Sequence, residues 1–477
     1  MSDQAAIDNE TEIDTISSRR LYNLGCAGVL IASAFLAWRS PLEDPVLLSI
    51  GVVILVLGFL PGLLWARYSR PWFPCFEISL LTCVVFYAMP LLTLADGLKI
   101  YSNSVLQTSG LLVIGYMVTA IVAFNAVRNP RKAPYWAVSK LLPDSIHRYL
   151  PAGLLINTLY IYLDRFTTLI PFEFQGSIRA LCFGLGIITA FIFSCAWGSG
   201  MLSRAHKIFF SVCLSMQIIV LFSHLYLING ISLLILSAIG YTTTKRSLPW
   251  LPVLILLPII AVLHNGKSQM RAIYWAKTAS LPALAQLPSF FTEWVTAGLQ
   301  KNEQEEESKN VTLKLADRAS LLQMIALTVD QVPSMRPHLG GESYIDIPAQ
   351  VVPRFLWPDK PSSLMSNVRL ALYFNLVDPN DPFTTSIAFG IISESYVNFS
   401  FFGVLVIGAL TGLGFKHVAL RSIGAPMFSA IGIFMVLLTA WCFQAEQVLA
   451  TWLASLFQAS AISIIVPLGW KKFFGDS

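Results

Sequence analysis

The stretch Ile347–Pro361, IPAQVVPRFLWPDKP, sets an arginine, a tryptophan and a lysine among four prolines. Each proline fixes its own φ and restricts the residue before it, so regular helix is excluded here and a stiff, extended backbone is expected. On such a backbone Arg354 offers a planar, bidentate donor for phosphate, and Lys360 offers a compact point charge. Trp357 offers a flat apolar face to a sugar ring or to a membrane interface. Further candidate cations on the same side of the expected membrane are Arg271, Arg318, Arg336 and Arg369. The candidate proton acceptors are His338, Glu342, Asp346 and Glu394. Cations aimed at an oxyanion, beside a base for a hydroxyl, are what transfer from a diphosphate leaving group requires. Each of these groups also has a plainer use. An arginine can close a salt bridge within a loop. Glu394 can answer a helix dipole, with Asn398 one turn further along the same face. Gly340-Gly341 either lets backbone approach a ligand closely or makes a simple turn.

The elements that must hold these groups are membrane helices. The 477 residues are 55% apolar and 12% charged, with a mean hydropathy of +0.65; soluble domains carry about 25% charged residues. About 20 apolar residues cross a bilayer. Twelve stretches qualify: 21–38, 46–66, 76–95, 106–127, 149–163, 178–198, 206–223, 226–243, 249–265, 396–415, 426–444 and 448–468. The seventh and eighth are separated only by His224–Asn229 and are alternatively one broken helix. With the N-terminus inside, the short inner segments hold 17 Lys/Arg and the short outer ones 4. That bias favours twelve spans with both termini cytoplasmic. The expected plan is therefore all-α and polytopic. A cytoplasmic tail (1–20) precedes spans one to nine (21–266). A large outer segment (267–390) leads to spans ten to twelve (391–470) and a short inner tail (471–477).

The outer segment holds 23 of the chain's 59 formal charges, 11 basic and 12 acidic, which marks a folded, solvated region. Within it, 281–300 is expected to form an interfacial helix carrying Trp294, and 314–331 an amphipathic helix lying across the bundle, with Leu315, Leu321, Leu322, Ile325 and Val329 on one face. The run Asn302–Lys309, with four glutamates, is expected to be a solvated link. Basic residues are scattered rather than striped, which argues against nucleic acid. The seven cysteines all fall in apolar stretches without metal-ligand spacing, so neither a disulfide framework nor a metal site is expected.

Two motifs carry a resemblance. Pro353-Arg354-Phe355-Leu356-Trp357-Pro358-Asp359-Lys360-Pro361 resembles the P-R-x-L-W-P-x-K-P signature of bacterial oligosaccharide repeat-unit polymerases, the Wzy-type O-antigen and capsule polymerases. Ser393-Glu394-Ser395-Tyr396-Val397-Asn398-Phe399, followed by Gly403, is similar to their G-E-x-Y-x-N-F-G stretch. It departs from that pattern at Ser393 and Ser400. The resemblance implies a GT-C-like, lipid-dependent glycosyltransferase of the inner membrane that needs neither metal nor cofactor. Its substrates would be undecaprenyl-diphosphate-linked glycans, and it would work beside a flippase and a chain-length regulator. Arg354, Glu394 and Arg318 would be catalytic. Arg271, Lys360, Trp357, His338, Glu342, Tyr396 and Asn398 would bind diphosphate or sugar. Arg165, separated from Gly176 by ten residues, fits a spacing seen in some of these polymerases. O-antigen ligases share the topology, and a flippase of lipid-linked sugars is a third reading. Flippases usually show internal repeats, and this sequence has none.

Overall fold

A computed structural model describes residues 2–68, 70, 72–127, 144–167, 169, 172–225, 227–245, 247, 249–275, 281–299, 320–352, 357, 359–362, 364–379, 387–425 and 429–474. Arg318, Arg354 and the acidic run at 302–309 lie outside them. The described residues are helical and contain no strand. In chain order the helices are α1 (Ser2–Arg39), α2 (Pro45–Arg67), α3 (Cys75–Leu92), α4 (Asn103–Ala126), α5 (Asp144–Phe166), α6 (Phe172–Gly198), α7 (Arg204–Phe222) and α8 (Leu227–Lys245). They continue with α9 (Trp250–Tyr274), α10 (Leu287–Leu299), α11 (Leu321–Gln331), α12 (Ile347–Val351), α13 (Met365–Tyr373), α14 (Gly390–Ser422), α15 (Ala430–Cys442) and α16 (Leu449–Phe474).

A helix covers each of the twelve apolar stretches, and seven helices are long and apolar enough to cross a membrane among the described residues. The chain is an all-α membrane protein. The seventh and eighth stretches are two helices, α7 and α8, joined by a turn in which Leu225 has φ 61°.

The chain forms two compact units. The first gathers Met1–Trp136, Asp317–Gly424 and Gln444–Phe457; the second gathers Ala137–Ala316, Ala425–Phe443 and Gln458–Ser477. The segment 267–390 is thus divided between them.

In the first unit α14 lies against α4 through Gly408 and Gly412. A β-carbon at Gly408 would come 2.5 Å from the Tyr116 carbonyl oxygen, and one at Gly412 would come 2.1 Å from that of Ala120. Small residues four apart let two membrane helices meet backbone to backbone. Helix α11 starts at Ser320, whose hydroxyl accepts from the Gln323 N–H at 3.3 Å. Leu321, Leu322 and Ile325, expected on its apolar face, are turned inward. Leu321, Leu322, Met324, Ile325, Ala326 and Thr328 are all buried, because α11 packs against α4 and α14 at once.

In the second unit α6 packs on α8 and α9 on α10. Trp294, on the helix expected at the interface, is fully buried, and its indole donates to the Leu263 carbonyl at 2.7 Å. The indole needs a partner once it is out of water, and the backbone of α9 supplies one.

Candidate functional site

The polar residues come together in the first unit, where α14 begins. Helix α14 is broken within: Phe399 (φ −137°, ψ 24°) and Ser400 (φ 58°, ψ −156°) leave helical geometry. Gly403 makes room for the break, since a β-carbon there would lie 2.6 Å from the Ser395 carbonyl oxygen. Backbone groups freed at such a break need partners, and the turn at 339–344 provides them. The Leu339 and Gly340 N–H groups donate to the carbonyls of Val397 and Asn398 at 3.0 and 3.2 Å. The Gly341 N–H donates to Asn398 Oδ1 at 2.9 Å. Gly341 sits at φ 105°, a conformation glycine adopts without strain. The Gly340-Gly341 pair therefore makes a turn, and that turn docks on the broken helix.

Glu394 is fully buried at the centre of this arrangement. Its Oε1 accepts from the Ser343 hydroxyl at 2.8 Å, and its Oε2 accepts from the Leu449 N–H at 2.7 Å. Leu449 opens α16, so the carboxylate caps the positive end of that helix. Asn398 Nδ2 donates to both the Ser343 hydroxyl and the Glu394 carbonyl at 2.8 Å. Tyr344 reaches Ser395 Oγ at 3.4 Å; burial pushes its phenol well above the ordinary range, and the Glu394 carboxylate adds to that. Tyr396 is buried and donates from its hydroxyl to the Val332 carbonyl at 3.1 Å.

His338 is half-buried beside Tyr396, with its Nδ1 3.2 Å from the Val397 carbonyl oxygen. A carbonyl can only accept, so Nδ1 carries the proton in this contact. In the neutral ring Nε2 then holds the lone pair. Glu342 begins the turn Glu342–Tyr344 and is exposed.

The proline-rich stretch is not uniformly extended. Ile347–Val351 forms one short helix, α12, with Pro348 in its first turn, where the missing N–H costs nothing. Lys360 Nζ donates to the Ala349 and Val352 carbonyls at 3.2 and 2.6 Å, at the C-terminal end of α12 where a cation is favoured. Arg369 pairs with buried Asp346, Nε to Oδ2 at 3.2 Å. Arg336 donates to Gln331 Oε1 at 3.1 Å and to the Tyr373 carbonyl, and it lies 5.4 Å over the Tyr373 ring. Trp357 is exposed.

Arg165 and Arg271 belong to the second unit. Arg165 donates to Ser223 Oγ at 3.3 Å and to the Pro282 carbonyl at 2.9 Å; partial desolvation lowers its pKa. Arg271 donates to the Leu225 carbonyl through Nε and Nη2, at 3.2 and 2.8 Å, and stacks 4.2 Å over Trp275. Both arginines hold the loops that join the helices of that unit.

A family model described as Domain of unknown function (DUF8712) matches residues 115–442, more than half of the chain. The chain belongs to the DUF8712 family. No curated protein and no solved structure matches it. The region shared with DUF8712 contains Ser343, Glu394 and Asn398, and Leu449 lies beyond it.

Sequence reasoning singled out Glu394, Asn398, Tyr396 and His338, and these four assemble. It missed Ser343, which bridges Glu394 and Asn398, and the Leu449 N–H. A serine in a turn carries no distinguishing signal, and a backbone N–H carries none at all. The Gly408-x-x-x-Gly412 spacing that seats α14 is readable in the sequence and was also missed.

Proposed function

We propose that this DUF8712 protein is a lipid-diphosphate-dependent glycosyltransferase. In this reading it joins undecaprenyl-diphosphate-linked repeat units into a surface polysaccharide at the outer face of the bacterial inner membrane. It spans the membrane twelve times, with both termini in the cytoplasm, and has a GT-C-like plan. One observation carries the reading: the polar turn before the proline-rich motif and the E-x-Y-x-N-F helix form one hydrogen-bonded unit around Glu394.

In this reading the acceptor hydroxyl attacks the anomeric carbon of the growing glycan. The bond from that carbon to the diphosphate oxygen breaks, and the lipid diphosphate leaves with the electron pair. Arg354 and Arg318 neutralise the departing oxygens, each contributing about 3–4 kcal/mol on the scale of a lost oxyanion donor. His338 takes the hydroxyl proton on Nε2. Both oxygens of Glu394 are already hydrogen-bonded, so it acts as a positioning residue that fixes His338 and the turn against α14. Lys360 and Trp357 present the sugar and diphosphate side of the motif.

The test is to incubate purified protein with undecaprenyl-diphosphate-linked repeat units. A ladder of longer products is expected from wild type and single units only from Arg354→Ala. Transfer of a finished polymer to another acceptor, without any ladder, would favour a ligase instead.

A further inference from the structure

Trp72 stands in the turn that joins α2 to α3, within the first unit, and it is buried and held from several sides. Its carbonyl accepts from the Trp65 indole at 2.9 Å, and its own indole donates to Glu77 Oε1 at 3.2 Å. The Phe73 N–H donates to Ser422 Oγ on α14 at 3.3 Å. Lys416 of α14 lies 4.4 Å over the Trp72 ring and 4.7 Å over that of Phe124 on α4. From this fixed indole a series of alternating cations and rings runs to the surface. Arg70 lies 5.1 Å from the Trp72 ring and 5.1 Å from that of Tyr68. Arg67, the last residue of α2, lies 5.6 Å from the Tyr68 ring and 5.5 Å from that of Tyr22 on α1.

A guanidinium stacked on a ring still presents the N–H groups in its own plane. Arg165, Arg271, Arg336 and Arg369 give those donors to carbonyls, hydroxyls or carboxylates of the protein. Arg67 and Arg70 have neither a hydrogen-bond acceptor nor an ion-pair partner among the described residues. The nearby acid, Glu77, is buried and holds the Trp72 indole instead. Arg67 and Tyr68 are exposed and Arg70 is half-buried, so a ligand can reach both guanidinium groups. Two forks of donors, three residues apart and sharing the Tyr68 ring, suit the oxygens of a phosphate. Their stacking fixes them before a ligand arrives, which lowers the ordering cost of binding.

The surroundings indicate what carries that phosphate. The stack closes α2, an apolar helix long enough to cross a membrane. On α1, beginning two residues after Tyr22, Leu24, Ile31 and Phe35 repeat at helical spacing and are all exposed. Gly28 falls on the same stripe, and a β-carbon there would meet nothing within 4 Å. From Leu24 to Phe35 the helix rises about 16 Å, roughly half the thickness of a bilayer's hydrocarbon core. An open apolar stripe one leaflet deep thus ends beside two unpaired guanidinium groups. We propose that Arg67 and Arg70 bind the phosphate of an anionic phospholipid whose acyl chain lies along the α1 stripe. A zwitterionic headgroup brings an ammonium that the two cations repel, so the anionic lipid is selected. This site is independent of the proposed glycosyl transfer.

The test is native mass spectrometry of the full chain in detergent. The probes are dioleoylphosphatidylglycerol, dioleoylphosphatidylcholine as the zwitterionic control, and glycerol 3-phosphate as a phosphate ester without chains. Phosphatidylglycerol should be retained at least fivefold over phosphatidylcholine, and the ratio should fall below twofold in Arg67→Gln/Arg70→Gln. Tyr68→Leu keeps both charges and removes only an exposed ring that both guanidinium groups share; it should lower the ratio at least twofold. Arg204→Gln/Lys207→Gln removes two cations from the second unit and should leave the ratio unchanged. Four outcomes would overturn the proposal: no preference in wild type, a preference kept in Arg67→Gln/Arg70→Gln, an equal fall in Arg204→Gln/Lys207→Gln, or displacement of the lipid by equimolar glycerol 3-phosphate. The last would mark a site for a free phosphate ester instead.

Discussion

The turn around Glu394 and the exposed face of α10 around Glu293 each place one carboxylate among hydroxyls, yet they spend their hydrogen bonds in opposite ways. Both oxygens of Glu394 are occupied, by Ser343 and by the Leu449 N–H, and the residue is fully buried. Glu293 is exposed, with the Tyr274 hydroxyl on Oε2 and a row of outward-facing hydroxyl oxygens along its helix. A buried polar group left without partners is expensive, so the first region uses its polar atoms to fix a shape. In the second region water can satisfy the same groups, so they fix little.

The difference can be broken at several points. The largest effect is expected from Glu394→Ala, which strands the Leu449 N–H and the Ser343 hydroxyl. At about 1–3 kcal/mol for each buried unpaired group, a loss of about 2–6 kcal/mol is expected in denaturant titrations of the detergent-solubilised protein. Glu394→Gln keeps one acceptor and should lose less. If Glu394→Ala unfolded like wild type, the clamp would not be what holds the turn.

Next is Gly298→Ala, which forces a methyl group onto the Val262 carbonyl. Overpacking of this kind costs about 1–3 kcal/mol. It should also part α9 from α10 and shift Trp294 fluorescence to the red, because the indole loses its seat against Leu263.

Gly341→Ala places a side chain at φ 105°, 3.2 Å from the Phe399 ring. A residue forced into left-handed backbone costs about 1–2 kcal/mol, so a moderate fall in stability is expected. In the repeat-unit assay this variant should slow turnover by more than the stability loss explains, because it displaces His338. Thr292→Ala on the exposed face of α10 should change stability by no more than about 0.5 kcal/mol, as exposed substitutions do.

The smallest effect concerns pH. Glu446, between α15 and α16, has its pKa raised above the ordinary 4.5 by burial. A raised acid holds its proton more tightly in the folded state. Its contribution is therefore complete below pH 4.5 and fades as the pH rises through the folded-state value. Melting temperatures followed upward from pH 4.5 should fall for wild type and fall less for Glu446→Gln.

The amino-acid sequence determined the solvent, the helix positions and the chemistry on offer. Apolar runs of span length admit little but helix in lipid, so α2, α4, α7 and α9 were legible from composition and period alone. Glu394 and Asn398, one turn apart, were legible as a pair because a helix repeats every 3.6 residues. Tertiary structure decided what those groups do. Trp294 was legible as part of a helix, and its burial depends on Gly266 and Gly298 letting two helices close on it. The apolar face of α11 was legible from its spacing, whereas the surfaces that bury it, α4 and α14, arrive from distant parts of the chain. The partners of Glu394 sit about fifty residues away in either direction, at Ser343 and at the backbone of Leu449. Sequence patterns carry information over one or two helical turns, whereas a buried carboxylate takes its role from whichever donors folding brings to it.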